Sequence, residues 1–302
     1  MSVFARPAAA AVGLLLAGLS GCILDVPYEK YAIVYGVANY QVGVNDLNYT
    51  DDDAIAMAAL LTEQGYQAIL QLDSDANKNQ LENTDIPAIA GQAREQDLFV
   101  FYFSGHGGQA STGAENPGSD VYNEYIYLYD SDPDNLALTF SDDQLAAALV
   151  PIAARKKVII IDACNSGGLI GNALEADGEP AALAEGSEDI FALAARAISL
   201  YANFDGSSAD IPPWEALVLS AAGERELSWE SSDYGHGIFT YYLLEAASKG
   251  DHNGDGWITV SEAYGFVQEK LYRNWSLPRG LYYAHAPHVS GGPVDYVLFE
   301  AR

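Results

Sequence analysis

The sequence predicts an α/β fold in which helices cover both faces of a mostly parallel β-sheet. Apolar runs of strand length alternate along the chain with segments that carry helix start and stop signals. The runs are continuous, which is typical of strands buried on both faces. The chain has 302 residues, 49% of them hydrophobic, so a large core can form.

The first 103 residues supply three strands and two helices of this pattern. Residues 31–37 (YAIVYGV) predict a buried strand, and TDDDAIAMAALLTEQG predicts a helix with an acidic start and a glycine stop. A second strand is predicted at 67–72, a helix at 86–95 and a third strand at 97–103. This succession of strands and helices indicates parallel strands joined by crossover helices.

The same pattern continues to the C-terminus. EYIYLYD predicts a short strand, and SDDQLAAAL predicts a helix in which Ser141 and Gln144 have capping-box spacing. KKVIIIDAC and EALVLSAA predict core strands on either side of a variable acidic linker at 165–213. Helices at 237–248 and up to about 272, then the strand DYVLF, complete one domain over 31–302.

The charge balance excludes one class of partner. The chain has 14 basic and 42 acidic residues, a formal net charge of −28. Such a charge repels nucleic acid and anionic lipid surfaces at long range, so we expect no nucleic-acid partner.

The N-terminus resembles the signal peptide of a bacterial lipoprotein. Arg6 precedes a 12-residue apolar run, Ala8 to Leu19, which is too short to span a bilayer. The run leads into LSGC, which is similar to a lipobox and implies lipidation of Cys22. We therefore expect a signal peptide at 1–21, a lipidated tether at 22–30 and an extracytoplasmic domain anchored to a bacterial membrane. The alternative is a plain signal peptide with a stray cysteine.

Cys164 is the only cysteine besides Cys22. It follows the core strand KKVIIIDA, and it has no partner for an intramolecular disulfide once Cys22 is lipidated. It is either a small buried hydrophobe or a nucleophile that has a base nearby.

Two glycine-rich turns point to the second interpretation. His106 follows one predicted strand in DLFVFYFSGHGG, and Cys164 follows another in KVIIIDACNSGG. The carboxyl ends of parallel strands meet at one edge of a sheet, so the imidazole and the thiol are expected to lie close together. An imidazole can generate the thiolate that attacks a carbonyl, and the amides of Gly107 and Cys164 are candidate oxyanion donors.

At these residues the chain resembles the caspase-like cysteine peptidases, and among them the bacterial metacaspase-like and orthocaspase-like members. YFSGHGG is similar to the histidine motif of that family and DACNSGG to its cysteine motif, and the likeness runs from about Tyr31 to Phe299. The resemblance implies a three-layer α/β/α sandwich with a mostly parallel sheet of about six strands. It also implies that His106 is the base or acid, that Cys164 is the nucleophile that forms an acyl-enzyme, and that the chemistry needs no cofactor.

The resemblance also suggests the substrate. In metacaspase-like members the acid two positions before the cysteine, here Asp162, lines the pocket for the residue before the cleaved bond, and the acid matching Asp53 assists it. Two carboxylates favour an Arg or Lys guest over Asp. The chain departs from the family at Asn165, where a histidine is common, and in TDDDA, which lacks the usual cysteine. Asp53 as a helix cap and Asp162 as a structural acid are the alternatives.

The segment DHNGDGWITVSE, residues 251–262, fits the EF-hand loop at every fixed position. It predicts a Ca²⁺ site of structural character, the alternative being an acidic turn that binds no metal. The expected ligands are the side chains of Asp251, Asn253, Asp255, Thr259 and Glu262 and the carbonyl of Trp257.

The sequence thus predicts a membrane-anchored cysteine endopeptidase that cleaves peptides or proteins after Arg or Lys. The alternatives are a catalytically silent caspase-like binding or scaffold protein with a calcium site, and acyl transfer to a non-peptide substrate. Between Asn165 and Glu224 the only basic residue is Arg196, which is therefore the expected place of any self-cleavage in that segment.

Overall fold

The fold is organised around a six-stranded sheet in which the strands lie in the order 288–290, 216–220, 156–163, 98–105, 30–36 and 66–72. The computed structural model describes residues 28–41, 43–111, 122–163, 216–221, 228–279, 287–290 and 295–301. In chain order the six strands are β1 (Lys30–Gly36), β2 (Tyr66–Leu72), β3 (Leu98–Gly105), β7 (Lys156–Ala163), β8 (Ala216–Ser220) and β12 (His288–Ser290). The first five run parallel, and β12 pairs with β8 in the antiparallel sense. The predicted mostly parallel sheet is confirmed.

Helices cover both faces of this sheet. On one face lie α1 (Thr50–Glu63), α5 (Ile238–Lys249) and α6 (Val260–Lys270), and on the other lie α3 (Ile86–Ala90) and α4 (Asp142–Leu149). Every residue of β3 is buried, because its alternate side chains enter two separate hydrophobic cores. A strand that is covered on both faces needs a continuous apolar run, and this explains why the sequence signal was so clear.

The helix predicted at 86–95 is shorter and begins earlier in the structure. A helical stretch starts with α2 (Lys78–Gln80), capped by the Asn77 side chain, and passes through a π-helical turn at Leu81–Asp85 into α3. Proline lacks an N–H and its ring crowds the preceding turn, so a wide turn just before Pro87 lets the helix continue through it. Gly91 then ends the helix.

Three small sheets surround the central one. β4 (Gly107–Ser111), β5 (Tyr122–Ile126) and β6 (Phe140–Ser141) form the first, directly after β3. The second joins β9 (Glu230–Ser231) to β10 (His236–Gly237), and the third joins β11 (Trp257–Thr259) to β13 (Val297–Glu300). The capping box predicted for α4 is present, with Ser141 and Gln144 bonded reciprocally.

The ends of the predicted domain are only partly described. β1 begins at Lys30, and the amide of Glu29 already donates to Asp97, so the last residues of the predicted 22–30 tether belong to the fold. The predicted signal peptide at 1–21, Cys22 and the 165–213 linker lie outside the described residues. Within the described part, α7 (Leu277–Arg279) follows a π-helical turn at Leu271–Ser276. None of the helices described there has the length and apolar composition that crossing a bilayer requires.

Candidate active site

The register of two central strands brings their carboxyl ends together, one residue before each of the two predicted catalytic positions. β3 and β7 run parallel, and their last pair is Gly105 with Ala163. The next residue along β3 is His106, and the next along β7 is Cys164. Cys164 itself lies outside the described residues. The two strand ends therefore meet at the same edge of the sheet, as the glycine-rich turns predicted.

The ring of His106 is held by Tyr40 and Asn45. It packs against the Tyr40 ring with 5.1 Å between centroids, and its Nε2 lies 2.8 Å from the backbone carbonyl oxygen of Asn45. A carbonyl only accepts hydrogen bonds, so Nε2 carries the proton. In the neutral ring the lone pair is then on Nδ1, which makes Nδ1 the basic nitrogen.

The His106 imidazole is neutral near pH 7. Burial lowers its pKa below the ordinary value of 6.5. The hydrogen bond to Asn45 and the carboxylates of Glu230 and Asp46 oppose this shift without reversing it. A neutral imidazole with a free lone pair can accept a proton from a thiol.

The backbone around His106 depends on glycine. The amide of His106 donates to the Tyr40 hydroxyl at 2.7 Å. A Cβ on Gly105 would lie 2.8 Å from the same hydroxyl oxygen, so only glycine allows this close approach. Gly107, one of the two predicted oxyanion donors, opens β4 and pairs with Ile126. The other predicted donor, the amide of Cys164, is not among the described groups.

Two buried acids, Asp53 and Asp162, lie beneath this edge, and we call them the carboxylate pair. Asp162 is on β7 and pairs with Ser104 on β3, two positions before Cys164 and His106 respectively. Asp53 is on α1, and its carboxylate accepts a hydrogen bond from the Ser104 hydroxyl at 2.9 Å. The exposures of Asp53 and Asp162 are only 0% and 4%.

Gly237 lies between the two carboxylates. A Cβ on this residue would lie 2.6 Å from Asp162 Oδ2 and 2.8 Å from Asp53 Oδ2. Any other residue would displace the carboxylate pair. The two acids can lie this close together because Gly237 has no side chain, so both carboxylates can approach its Cα.

Donors from the protein satisfy both acids. Asp162 accepts from the Ser228 hydroxyl and from the hydroxyl and amide of Thr240, at 2.6 and 3.1 Å for the latter two. Asp53 accepts from the Gly237 amide at 3.1 Å, and its Oδ1 lies 2.8 Å from Nδ1 of His236. Hydrogen bonds of this kind allow charge to exist in a buried place.

Burial and hydrogen bonding change the ionisation of Asp53, Asp162 and His236. Burial raises the pKa of Asp162 to about 7, with repulsion from Asp53 as the next cause. It also raises the pKa of Asp53, while the hydrogen bonds from His236 and Ser104 oppose the rise. The bond to Asp53 raises the pKa of His236 above 6.5, against the effect of burial. Strongly perturbed ionisable groups that lie together are typical of functional sites.

Sequence reasoning missed several of these residues. Ser104 lies within the histidine motif and Tyr40 lies shortly after the first predicted strand, but no pattern assigned either of them a contact. His236 stands directly before a helix, where no sequence signal assigns it a contact, and it bonds to Asp53 from 183 positions away in the chain. Only the tertiary fold reveals contacts at such separations.

The predicted calcium loop lies between α5 and α6. The side chains of Asp251, Asn253 and Asp255 accept hydrogen bonds from backbone amides of their own loop. Glu262 accepts from the amide and hydroxyl of Thr259 in a capping box. Trp257 is in β11 and pairs with Glu300. Over the described ranges, no three His, Cys, Asp or Glu side chains form a group that could hold a metal ion. The loop has the EF-hand order helix, loop, helix, and the ligand set remains a prediction.

Two solved structures have a similar fold. The crystal structure of protein GSU0716 from Geobacter sulfurreducens superposes with a TM-score of 0.58 at 18% identity, over 91% of this chain and 97% of that one. Caspase-1 from Spodoptera frugiperda gives 0.50 at 14% identity, over 87% and 88%. The fold is thus the caspase-like α/β/α sandwich.

The sequence comparisons identify the family. The profile of the caspase domain, Peptidase C14, matches residues 29–290, so the chain belongs to this family of cysteine peptidases. Metacaspase-1 of Schizosaccharomyces pombe is 26% identical over 153 residues, which are 47% of this chain and 35% of that protein. The aligned region is therefore only about a third of that relative's length.

Proposed function

We propose that the protein is a cysteine endopeptidase that cleaves after Arg or Lys, with His106 and Cys164 as its catalytic dyad. The observation that carries the proposal is the pairing of Gly105 with Ala163 on adjacent strands, because His106 and Cys164 are the residues that directly follow this pair in the sequence. The neutral His106 ring, protonated on Nε2, has its basic Nδ1 available for the thiol.

The chemistry follows from these groups. Nδ1 of His106 takes the thiol proton of Cys164, and the sulfur attacks the carbonyl carbon of the scissile bond. The amides of Gly107 and Cys164 stabilise the resulting oxyanion. His106 returns the proton to the leaving amine as the C–N bond breaks, which leaves a thioester. Water, deprotonated by the same imidazole, then releases the acid and restores the thiol.

The carboxylate pair supports specificity for a basic residue. Among the described residues, no lysine or arginine forms an ion pair with Asp53 or Asp162. A guest guanidinium or ammonium would supply the permanent positive charge that no described lysine or arginine provides. An aspartate guest would add a third negative charge, which costs several kcal/mol for like charges in contact.

Covalent labelling tests the proposal. An Arg-directed chloromethyl ketone should add to Cys164, whereas the corresponding Asp-directed reagent should not. Cys164→Ala is the control for the site of addition and His106→Ala for activation of the thiol. If no adduct forms on Cys164 in folded, calcium-loaded protein, the proposal is wrong and the silent binding or scaffold alternative is favoured. If Cys164 is labelled but peptide libraries remain uncut, acyl transfer to a non-peptide substrate is favoured.

We propose in addition that residues 251–262 bind Ca²⁺ as a structural clamp. The loop offers hard oxygen donors at EF-hand spacing, the ligand type that Ca²⁺ prefers. Its β11 segment pairs with β13, and β13 is fastened to the end of α1, since the side chain of Gln64 bonds to both backbone groups of Glu300. Calcium would thus hold the C-terminal strand against the helix that carries Asp53. Glu262 would exchange its capping contact for the metal.

We propose finally that Cys22 carries a lipid anchor in an extracytoplasmic compartment of a bacterium. The support is the LSGC motif after a short apolar run. Incorporation of a labelled fatty acid in an expressing cell, and its loss in Cys22→Ser, would test this. Labelling that persists in the variant would contradict it.

A further inference from the structure

His236 is the one described residue that can place a positive charge against the carboxylate pair. Its Nδ1 lies 2.8 Å from Asp53 Oδ1, its side chain is 22% exposed and that of Asp53 is 0% exposed. The imidazole therefore connects a fully buried acid with solvent. It can exchange protons with water, which Asp53 cannot do directly.

The charged groups that act on the His236 imidazole are carboxylates of two neighbouring elements. Asp52 and Asp53 face it from α1 and Asp162 from β7, and all three favour the imidazolium. The Tyr241 ring of α5 packs nearby, at 6.5 Å between centroids. A protonated His236 thus compensates the negative charge of Asp53 while no substrate is bound.

A substrate with a basic side chain would change this balance. The proposed guest brings its own cation to Asp53 and Asp162. Two cations would then share one small, partly desolvated site, and like charges at such distances repel. His236 can lose its positive charge, because its ring reaches solvent and can release the proton on Nε2. The neutral ring keeps its hydrogen on Nδ1 and still donates it to Asp53.

We propose that His236 is a specificity-determining residue that supplies a removable positive charge to Asp53, and that it releases its proton when an Arg or Lys side chain enters. This inference rests on the proposed function, since it assigns a regulator to the same site. It makes recognition of a basic residue depend on pH, through a residue that does not take part in the cleavage chemistry.

Linkage gives the proposal a measurable form. If a basic guest lowers the pKa of His236 by one unit, the affinity for that guest must rise about tenfold between pH values below and above the titration. The same relation cannot hold for a guest without charge. Citrulline has nearly the shape of arginine and no charge, so it is the matched control.

The experiment is an NMR titration of the histidine rings in Cys164→Ala, which cannot turn the peptide over. The spectra are recorded without ligand, with an arginine peptide and with the citrulline peptide of the same sequence. His236→Asn assigns the resonance, since its amide can donate from nearly the position of Nδ1, and His236→Gln serves if the first variant does not fold. We expect the pKa of His236 to fall by a unit or more with arginine only.

The possible outcomes separate the two proposals. Equal binding of both peptides, or binding of neither, overturns the basic pocket and the present inference with it. Selective binding of arginine with an unchanged His236 titration leaves the pocket standing and overturns the role of His236. In that case any proton released on binding, measured calorimetrically in two buffers, comes from the carboxylate pair.

Discussion

Ser104 and Asp162 are paired residues of adjacent parallel strands, and each stands two positions before a proposed catalytic residue. One pair of strands therefore leads into both residues of the proposed dyad and carries one acid of the proposed binding site beneath them. Ser104 contacts Asp53, and Asp53 contacts His236, so the groups proposed for substrate recognition and for charge compensation are connected to the same strand pair. Changes at any of these residues should affect recognition and stability together.

Asp162→Asn should stabilise the protein at neutral and alkaline pH. The pKa of Asp162 is raised by burial from 3.8 to about 7, so the folded state keeps a proton that the unfolded state has lost. The contribution of Asp162 to the free energy of unfolding is therefore fully present below the unfolded-state pKa and is lost as the pH rises to about 7. The loss is roughly 4 kcal/mol at most. Urea unfolding of both proteins from pH 4 to 9 should show a difference that grows and then levels off. A pH-independent difference would contradict the expectation.

The pH profiles of kcat and kcat/KM should differ for an arginine substrate. In the free enzyme Asp162 must lose its proton to receive a cation, so kcat/KM should decline as pH falls below about 7. Burial lowers the pKa of His106, so kcat at saturating substrate should persist to below pH 6.5. Steady-state kinetics from pH 5 to 8 checks this. A common acid limb for both parameters would show that one group controls binding and chemistry.

Tyr40→Phe should lower kcat about tenfold to a hundredfold, because the His106 amide loses its acceptor and the turn that carries the imidazole loosens. Loss of this bond should cost roughly 1–3 kcal/mol of stability. Tyr35→Phe is the matched control, since it removes the bond from a buried tyrosine to Asp85. The control should lose stability and keep its kcat. Equal losses of kcat would mean that general destabilisation explains both.

Calcium should stabilise the protein through residues 251–262. At a hundredfold excess over the dissociation constant, a single site contributes about 2.7 kcal/mol, which raises Tm by several degrees. Asp251→Asn or Glu262→Gln should abolish the rise seen in thermal denaturation with and without chelator. Glu269→Gln is the control, because it changes an acid on α6 that pairs with Arg273. A calcium response that survives both loop variants would place the metal elsewhere.

Self-cleavage between Asn165 and Glu224, if the proposed specificity holds, should occur after Arg196. Intact-mass analysis of wild type, Arg196→Ala and Cys164→Ala checks this. The wild type should give two fragments, and both variants should remain whole in this segment. Identical fragments from Arg196→Ala would contradict cleavage after basic residues. Arg196 lies outside the described residues, so this expectation derives from the sequence alone.

The sequence by itself determined the class of fold and showed which two strands lead into the candidate catalytic residues. Buried parallel strands need continuous apolar runs, and the end of β3 needs glycine at Gly105, where the backbone approaches Tyr40, so both signals are local and can be recognised in the sequence. The resemblance in the motifs around His106 and Cys164 pointed to the family that the profile match then showed.

Only the tertiary structure decided which groups surround the two acids. Asp53, Asp162 and His236 come from three distant segments, and their meeting depends on the space that Gly237 leaves free. The contact of His106 with Asn45 likewise spans 61 positions. Local patterns encode which face of an element is apolar, because that depends on neighbours in sequence. The ionisation of a buried group depends on neighbours in space, and these exist only once the chain has folded.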